Sequence, residues 1–312
     1  MYLVTLSPPT AAARQSPRSG RQMLLHCCMR DAIAPCLRLL RGEQRCLGAT
    51  LSQGETMRGV LLFCMVPLGL VPLHLLAAET PQQVLARAIR AHGGEERLMA
   101  DRAEQVQMRG VHYVGQTEVP FTNTITLHWP GRFKSVLNRG KTQVINLLDG
   151  ERAALVVDGQ VQQMPATQLG QMRQTLALNH IMRLVPLVRD QAVSLTPLGE
   201  YTIQGTAVVG LAVQRAGWPE VKLFFDKQTA LLRASEQVLR TPGSPPVVQQ
   251  ARYSDHRDVG GYVRPGTVTV YRDGKKVMHA VLIQARRLEK IDAAEFRLPE
   301  ASPGPQPRAN RP

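Results

Sequence analysis

Thirteen consecutive residues set the architecture: an apolar stretch, Val221-Lys222-Leu223-Phe224-Phe225, a tight polar turn, Asp226-Lys227-Gln228-Thr229, and a second apolar stretch, Ala230-Leu231-Leu232-Arg233. So short a connection returns the chain alongside itself and commits both stretches to antiparallel pairing. The same punctuation recurs elsewhere. Phe121, Ile125, Leu127 and Trp129 alternate with Thr122, Thr124, Thr126 and His128, a period of two that puts one apolar and one polar face on a strand. Strands are expected at 133–137, 142–148, 153–157, 193–198, 206–214, 221–225, 230–238, 247–253, 262–271 and 276–286. Asn138-Arg139-Gly140, Asp149-Gly150, Asp158-Gly159 and Arg272-Asp273-Gly274-Lys275 supply hairpin turns among them. The chain therefore reads as an antiparallel meander whose apolar face must meet a core or a ligand.

Two segments break this period. Val84, Leu85, Ala88, Ile89 and Ala91 recur at helical spacing, with Thr80 as cap, Pro81 at the first helical position and His92-Gly93-Gly94 at the end. A short turn carrying Leu98 and Met99 follows. Residues 165–188 hold Leu169, Met172, Leu176, Ile181, Met182, Leu184, Val185, Leu187 and Val188 and predict two short helices, apolar on more than one face. Such a segment is either an ordinary core element or, given its adaptable methionines, a lid over an apolar cavity. The fold class expected is α+β: ten or so antiparallel strands in a strongly curved sheet or incomplete barrel, with one leading helix and one inserted helical segment.

The chain has 312 residues and a formal charge of +14. Residues 59–76 are almost wholly apolar, follow Met57-Arg58 and end at Ala77-Ala78-Glu79. This pattern predicts a signal peptide over 57–78, or an uncleaved anchor facing the same compartment. Residues 1–56 then form an extension outside the exported domain, 79–298 the domain, and 299–312 a proline-rich tail with nothing to pack. All five cysteines precede Ala78, so a chain starting at Glu79 has neither disulfide nor thiol chemistry. Eight of the 38 basic and three of the 24 acidic residues precede Glu79, leaving 30 against 21, or +9. Without a lysine-rich run or an RNA-reading aromatic motif, that charge favours an anionic membrane surface over nucleic acid.

Asp255, His256 and Asp258 make the one compact cluster with metal-ligand chemistry, but their place before Gly260-Gly261 equally suits aspartates that bond turn amides. A nucleophile elbow and a phosphate-cradling loop are missing from the sequence. His128, His180 and His279 stand singly. A binding protein is expected, not an enzyme, with no metal and no cofactor.

Several motifs together resemble the LolA-like carriers of lipoproteins and lipids: Ala91-His92-Gly93-Gly94, Trp129-Pro130-Gly131-Arg132-Phe133, the strand pair at 221–233, Tyr253-Ser254-Asp255-His256-Arg257-Asp258, Tyr271-Arg272-Asp273-Gly274-Lys275 and Ile291-Asp292-Ala293-Ala294-Glu295-Phe296. The resemblance implies a strongly curved antiparallel sheet of about eleven strands forming an incomplete barrel, with the helices as a lid in its concave face, and a monomeric periplasmic carrier, not an enzyme, that holds acyl chains of lipoproteins or phospholipids in an apolar cavity and shuttles them toward the outer membrane. Its expected partners are an inner-membrane release complex and an outer-membrane receptor. The alternative it allows is an envelope sensor or scaffold that binds a protein. The residues expected to contact lipid are Phe121, Ile125, Leu127, Trp129, Phe133, Met172, Leu176, Ile181, Met182, Leu184, Val221, Leu223 and Phe225. Arg132 is expected to latch the lid.

Overall fold

The computed structural model describes residues 79–100, 102–240 and 243–298. The expected extension 1–56, signal peptide 57–78 and proline-rich tail 299–312 lie outside the described residues, as do all the cysteines. Among the described residues no helix is long and apolar enough to cross a membrane.

Helix α1 (Pro81–Ala91) starts as its sequence dictates. Thr80 Oγ1 accepts from Gln83 N at 3.3 Å and Gln83 Oε1 accepts from Thr80 N at 2.8 Å, a reciprocal capping box. Its apolar stripe, Val84, Leu85, Ala88 and Ile89, is buried. His92 ends it, and α2 (Glu95–Met99) follows.

The strands are β1 (Ala103–Val114), β2 (Thr117–His128), β3 (Arg132–Arg139), β4 (Thr142–Asp149), β5 (Arg152–Val157), β6 (Gln160–Gln162), β7 (Ser194–Ile203), β8 (Thr206–Gln214), β9 (Val221–Asp226), β10 (Leu232–Leu239), β11 (Val247–Ser254), β12 (Arg257–Asp258), β13 (Val263–Arg264), β14 (Thr267–Arg272) and β15 (Lys275–Leu288). Thirteen of them form one antiparallel sheet in the order β6-β5-β4-β3-β2-β1-β15-β14-β11-β10-β9-β8-β7, with β12 and β13 as a separate ribbon. The count exceeds the expected eleven because the sequence signal misses β1 and the three-residue β6. β1 lies mid-sheet, but its inward row interleaves Glu104, Gly110 and His112 with Val106 and Met108, so no apolar alternation shows.

Turn chemistry follows the sequence. Asp158-Gly159 and Asp273-Gly274 take positive φ at both residues (49° and 80°; 45° and 77°), the twist that two-residue hairpins need. Asp226 builds the turn that ends β9: its Oδ1 accepts from Gln228 N and Thr229 N, each at 2.9 Å, and Oδ2 accepts from Arg233 Nε at 3.0 Å.

One face of the sheet carries most of the apolar side chains. Leu211, Leu223, Ser235, Ala251, Val270, Met278 and His112 stand successively opposite one another across seven strands. Leu127, Phe133 and Leu148 continue the same face on β2 to β4. Among the described residues the opposite face carries two small clusters, around Phe224 and around Phe296, the docking residue of the 3-10 turn Ala293–Phe296.

The sheet curls around this apolar face. β2 and β9 stand six strand steps apart, roughly 29 Å if the sheet were flat. Yet His180 meets the ring of Trp129, just after β2, at 5.8 Å, and that of Trp218, just before β9, at 5.2 Å. The two helices of the inserted segment, α3 (Ala166–Ile181) and α4 (Val185–Arg189), connect β6 to β7, the two edge strands. They cross the mouth that an incomplete barrel leaves open.

Candidate functional site

The thirteen residues expected to line a lipid site come together. Phe121, Ile125, Leu127, Trp129, Phe133, Met172, Ile181, Leu184, Val221, Leu223 and Phe225 are buried members of one continuous cluster, and Leu176 and Met182 pack against it. That cluster joins the inner face of the sheet to α1, α3 and α4, so helices, not a second sheet, cover the concave surface.

α3 has no single apolar stripe. Met172, Leu178 and Ile181 are buried on different sides of the helix, Leu169 and Leu176 flank Met172 half-buried, and Met182 just past the helix end is half-buried too. At its end the chain turns sharply at Leu184, whose φ of 60° is a region that a bulky side chain occupies only when its surroundings hold it there. Leu184 is 1% exposed, so burial does the holding.

A few polar ties fasten the helices to the rest. Gln168 Nε2 donates to Asn146 Oδ1 on β4 at 2.7 Å. Arg189 pairs with Glu95 of α2 at 2.6 Å, and Arg215 Nε donates to Asp190 Oδ2 at 2.7 Å. The Asp190 carboxyl is held below the usual carboxylate range by the Ala192 N–H and by the Arg215 hydrogen bond. Arg183 Nη2 donates to Leu98 O at 3.3 Å, and its guanidinium lies 5.0 Å from the Trp129 ring. Arg132, the expected latch, donates from Nε at 2.8 Å to Asp149, the residue opposite it on β4, and the guanidinium beside the Trp129 ring is that of Arg183.

One end of the concave face holds a cavity of about 70 Å³, roofed by Met182, Arg183 and Leu184 where α3 gives way to α4. Trp129, Leu98 and Leu232 supply apolar walls; Glu104, Tyr262, Arg264 and Arg287 supply polar ones. Arg264 pairs with Glu104 at 3.2 Å, both largely buried, and Tyr262 OH donates to the same carboxylate at 3.2 Å. The Tyr262 ring lies 4.1 Å from the guanidinium of Arg287 and 5.0 Å from that of Arg264. Burial, with Glu104 adding to it against Arg264, pushes the Tyr262 hydroxyl up to about 12. His92, on the cavity wall, is held neutral by burial, which outweighs its Nδ1 contact with Ala88 O at 2.8 Å.

Sequence reasoning missed this polar cluster, whose members are brought together from β1, the β12–β13 ribbon and the end of β15. One signal was present. Glu104 shares the inward parity of Val106 and Met108, and a buried carboxylate needs a cation.

The Asp255, His256 and Asp258 cluster resolves into turn chemistry. Asp258 Oδ1 accepts from Gly261 N at 2.8 Å, and Asp255 Oδ2 accepts from Thr267 Oγ1 at 2.5 Å. His256 packs edge-on to His92 at 6.3 Å, and burial lowers it to about 4. Among the described residues no three His, Cys, Asp or Glu side chains gather as a metal site. His128 lies 6.4 Å from Phe296, and His279 Nδ1 contacts Thr269 Oγ1 at 3.0 Å.

Among solved structures, the chain is similar to a LolA superfamily protein, NE2245, from Nitrosomonas europaea, at 11% identity over 70% of this chain and 98% of that one, with a TM-score of 0.48. A DUF1329 family protein from Desulfovibrio piger gives 10% identity over 69% and 96%, also at 0.48. A candidate outer membrane lipoprotein-sorting protein domain from Vibrio parahaemolyticus gives 10% over 70% and 97%, at 0.44. At these scores the likeness assigns no function to this chain. No protein-family model matches the sequence, and neither does any curated protein.

Proposed function

We propose that residues 79–298 are an acyl-chain carrier of the cell envelope, with the inner sheet face and helices α3 and α4 as the two walls of its cargo site. The observation that carries this reading is the path of the helical segment. It joins the two edge strands, crosses the mouth of the curled sheet, and packs leucine, isoleucine and methionine side chains against the concave face. The cavity under Met182, Arg183 and Leu184, about 70 Å³, is smaller than the roughly 150 Å³ void that accepts benzene, whereas an open depression lined by Val111, Pro120, Phe121 and Val281 measures about 550 Å³, so an acyl chain reaches the space under the helices only when α3 and α4 move out.

Burying a fourteen-carbon chain is worth roughly 11 kcal/mol at about 0.8 kcal/mol per CH2. Displacing the lid side chains offsets part of that, which leaves a carrier able to release its cargo. Periplasmic location, delivery toward the outer membrane and the release and receptor partners belong to this proposal; the leader-like run at 57–78 and the basic surplus support them. Native mass spectrometry with lipid extraction on gently purified protein is the test. Co-purified diacyl lipid or acylated peptide is expected. A mass that stays lipid-free after incubation with lipid vesicles would overturn the carrier and favour a protein-binding envelope module.

A further inference from the structure

The inner face of the sheet is interrupted at one level by side chains that a wall for hydrocarbon does not need. On β2 the inward residues run Phe121, Asn123, Ile125; on β3, Phe133, Ser135, Leu137; on β4, Val144, Asn146, Leu148. The polar member of each set is buried, Ser135 and Asn146 completely. Ser135 and Asn146 stand directly opposite each other, and Ser135 Oγ donates to Asn123 Oδ1 at 2.9 Å. The three make one short polar row, with apolar residues two positions, roughly 7 Å, to either side along each strand.

Asn146 is only half satisfied. Its Oδ1 accepts from Gln168 Nε2, in the first turn of α3, at 2.7 Å, but its Nδ2 is buried without a partner. Buried polar groups are normally paired, and an amide left half paired is less favourable in a core than a leucine would be. The sheet nonetheless keeps an amide between Val144 and Leu148, under the lid. When α3 moves out Gln168 leaves with it, and Asn146 then presents a donor and an acceptor on an apolar wall, with the Ser135 hydroxyl beside it.

That arrangement narrows the cargo. A few fixed polar groups in an apolar site set the orientation of what binds there, and a site built to hydrogen-bond one group rejects the analogue that lacks it. A hydrocarbon tail has no acceptor to offer Asn146 Nδ2, and an ether oxygen is a weak one. The carbonyl of an ester or amide is a strong one, attached directly to the chain that the neighbouring apolar residues would hold.

We propose that the row Asn123, Ser135 and Asn146 receives the carbonyl that joins an acyl chain to its headgroup, with Asn146 Nδ2 as the donor, so that the cargo is an acyl ester or amide and not an ether lipid; this rests on the carrier reading above. The test loads the full chain from vesicles of dipalmitoyl phosphatidylcholine, from vesicles of its diether counterpart with chains of the same length, and with an N-palmitoyl peptide, in the wild type, N146L and Q168L. Urea midpoints establish that both variants are folded, and the wild-type ratio of diester to diether tests the proposal even without them. The diester is expected to load about three- to tenfold over the diether. N146L should bring that ratio near one, whereas Q168L, which breaks the tie to α3 but keeps the Asn146 amide, should preserve it. Peptide loading that falls by the same factor in N146L supports an amide carbonyl as a source; loading that does not fall overturns the amide and leaves the ester. Equal loading of diester and diether by the wild type, or a ratio that N146L leaves unchanged or Q168L abolishes, would overturn the carbonyl site and leave the carrier standing. If none of the three loads, the carrier reading falls and this site with it.

Discussion

Gly93 shows what the Ala91-His92-Gly93-Gly94 sequence is for. Its φ is +115°, and a Cβ there would stand 2.6 Å from Gly261 O and 2.9 Å from the Tyr262 Cα, because the β12–β13 loop passes directly over the helix end and Val263 N donates to His92 O at 3.0 Å. Glycine is required twice, by conformation and by contact. G93A is expected to lower stability by about 2 to 3 kcal/mol in urea denaturation, while G94A, with open space around it, costs about 1 kcal/mol. The histidines set a second residue-level property. Burial lowers His112 and His256 to about 4, with Arg139 and Arg272 adding to it at His112, and burial lowers His92 as well. In the unfolded chain each titrates near 6.5, so their stability contribution is fully present above that pH and is lost as pH falls from about 6.5 toward 4. Urea midpoints should therefore decline between pH 7 and 5. H256N is expected to flatten the decline by up to about one proton, about 1.4 kcal/mol per pH unit; an unchanged slope would mean that His256 does not stay neutral in the folded protein.

At the scale of elements, hairpins were legible and the lid's fastening was not. Asp158-Gly159, Asp273-Gly274 and Asp226-Lys227-Gln228-Thr229 fold through local hydrogen bonds and φ preferences that a single sequence displays. The alternation from Phe121 to Trp129 likewise identified inward residues, because parity along a strand is a local property. What holds α3 and α4 depends on side chains brought together from distant segments, so the contacts of Arg189, Arg215 and Arg183 could not be read locally, while the latch expected at Arg132 came from the resemblance alone. Exposed ion pairs are individually weak, as a lid that must open requires. Replacing both Arg189 and Arg215 by Ala is expected to speed exchange of a fluorescent acyl probe a few-fold, with R132A at the wild-type rate. The reverse ranking would restore Arg132 as the latch. Truncating Leu176, Ile181 and Leu184 to Ala together removes buried surface from the lid alone and is expected to reduce retained lipid while the far-UV strand signal persists. Unchanged lipid content would count against a lid.

For the whole molecule the question is whether the helical segment is a core element or a cover. The sequence left both open, since an apolar helix looks the same in either role. Hydrogen-bonded pairing runs unbroken from β6 to β7 through all thirteen strands, and no strand pairs through α3 or α4. α1 remains on the concave face as a second source of apolar contact, through Val84, Leu85, Ala88 and Ile89. Replacing residues 164–193 by a flexible glycine-serine linker between the two edge strands should therefore leave a folded sheet with its apolar face uncovered. Exposed apolar surface of that extent is not tolerated by a soluble monomer, so the variant is expected to bind a hydrophobic dye strongly and to self-associate, both relieved by adding lipid or detergent. Circular dichroism and analytical ultracentrifugation read the outcome. If the strand signal collapses with the deletion, the helices are part of the core that folds the sheet, and a carrier that opens by moving them is untenable. If the sheet persists and detergent restores the monomer, acyl chains and the helices are interchangeable fillings of one concave face, the property on which loading and release both depend.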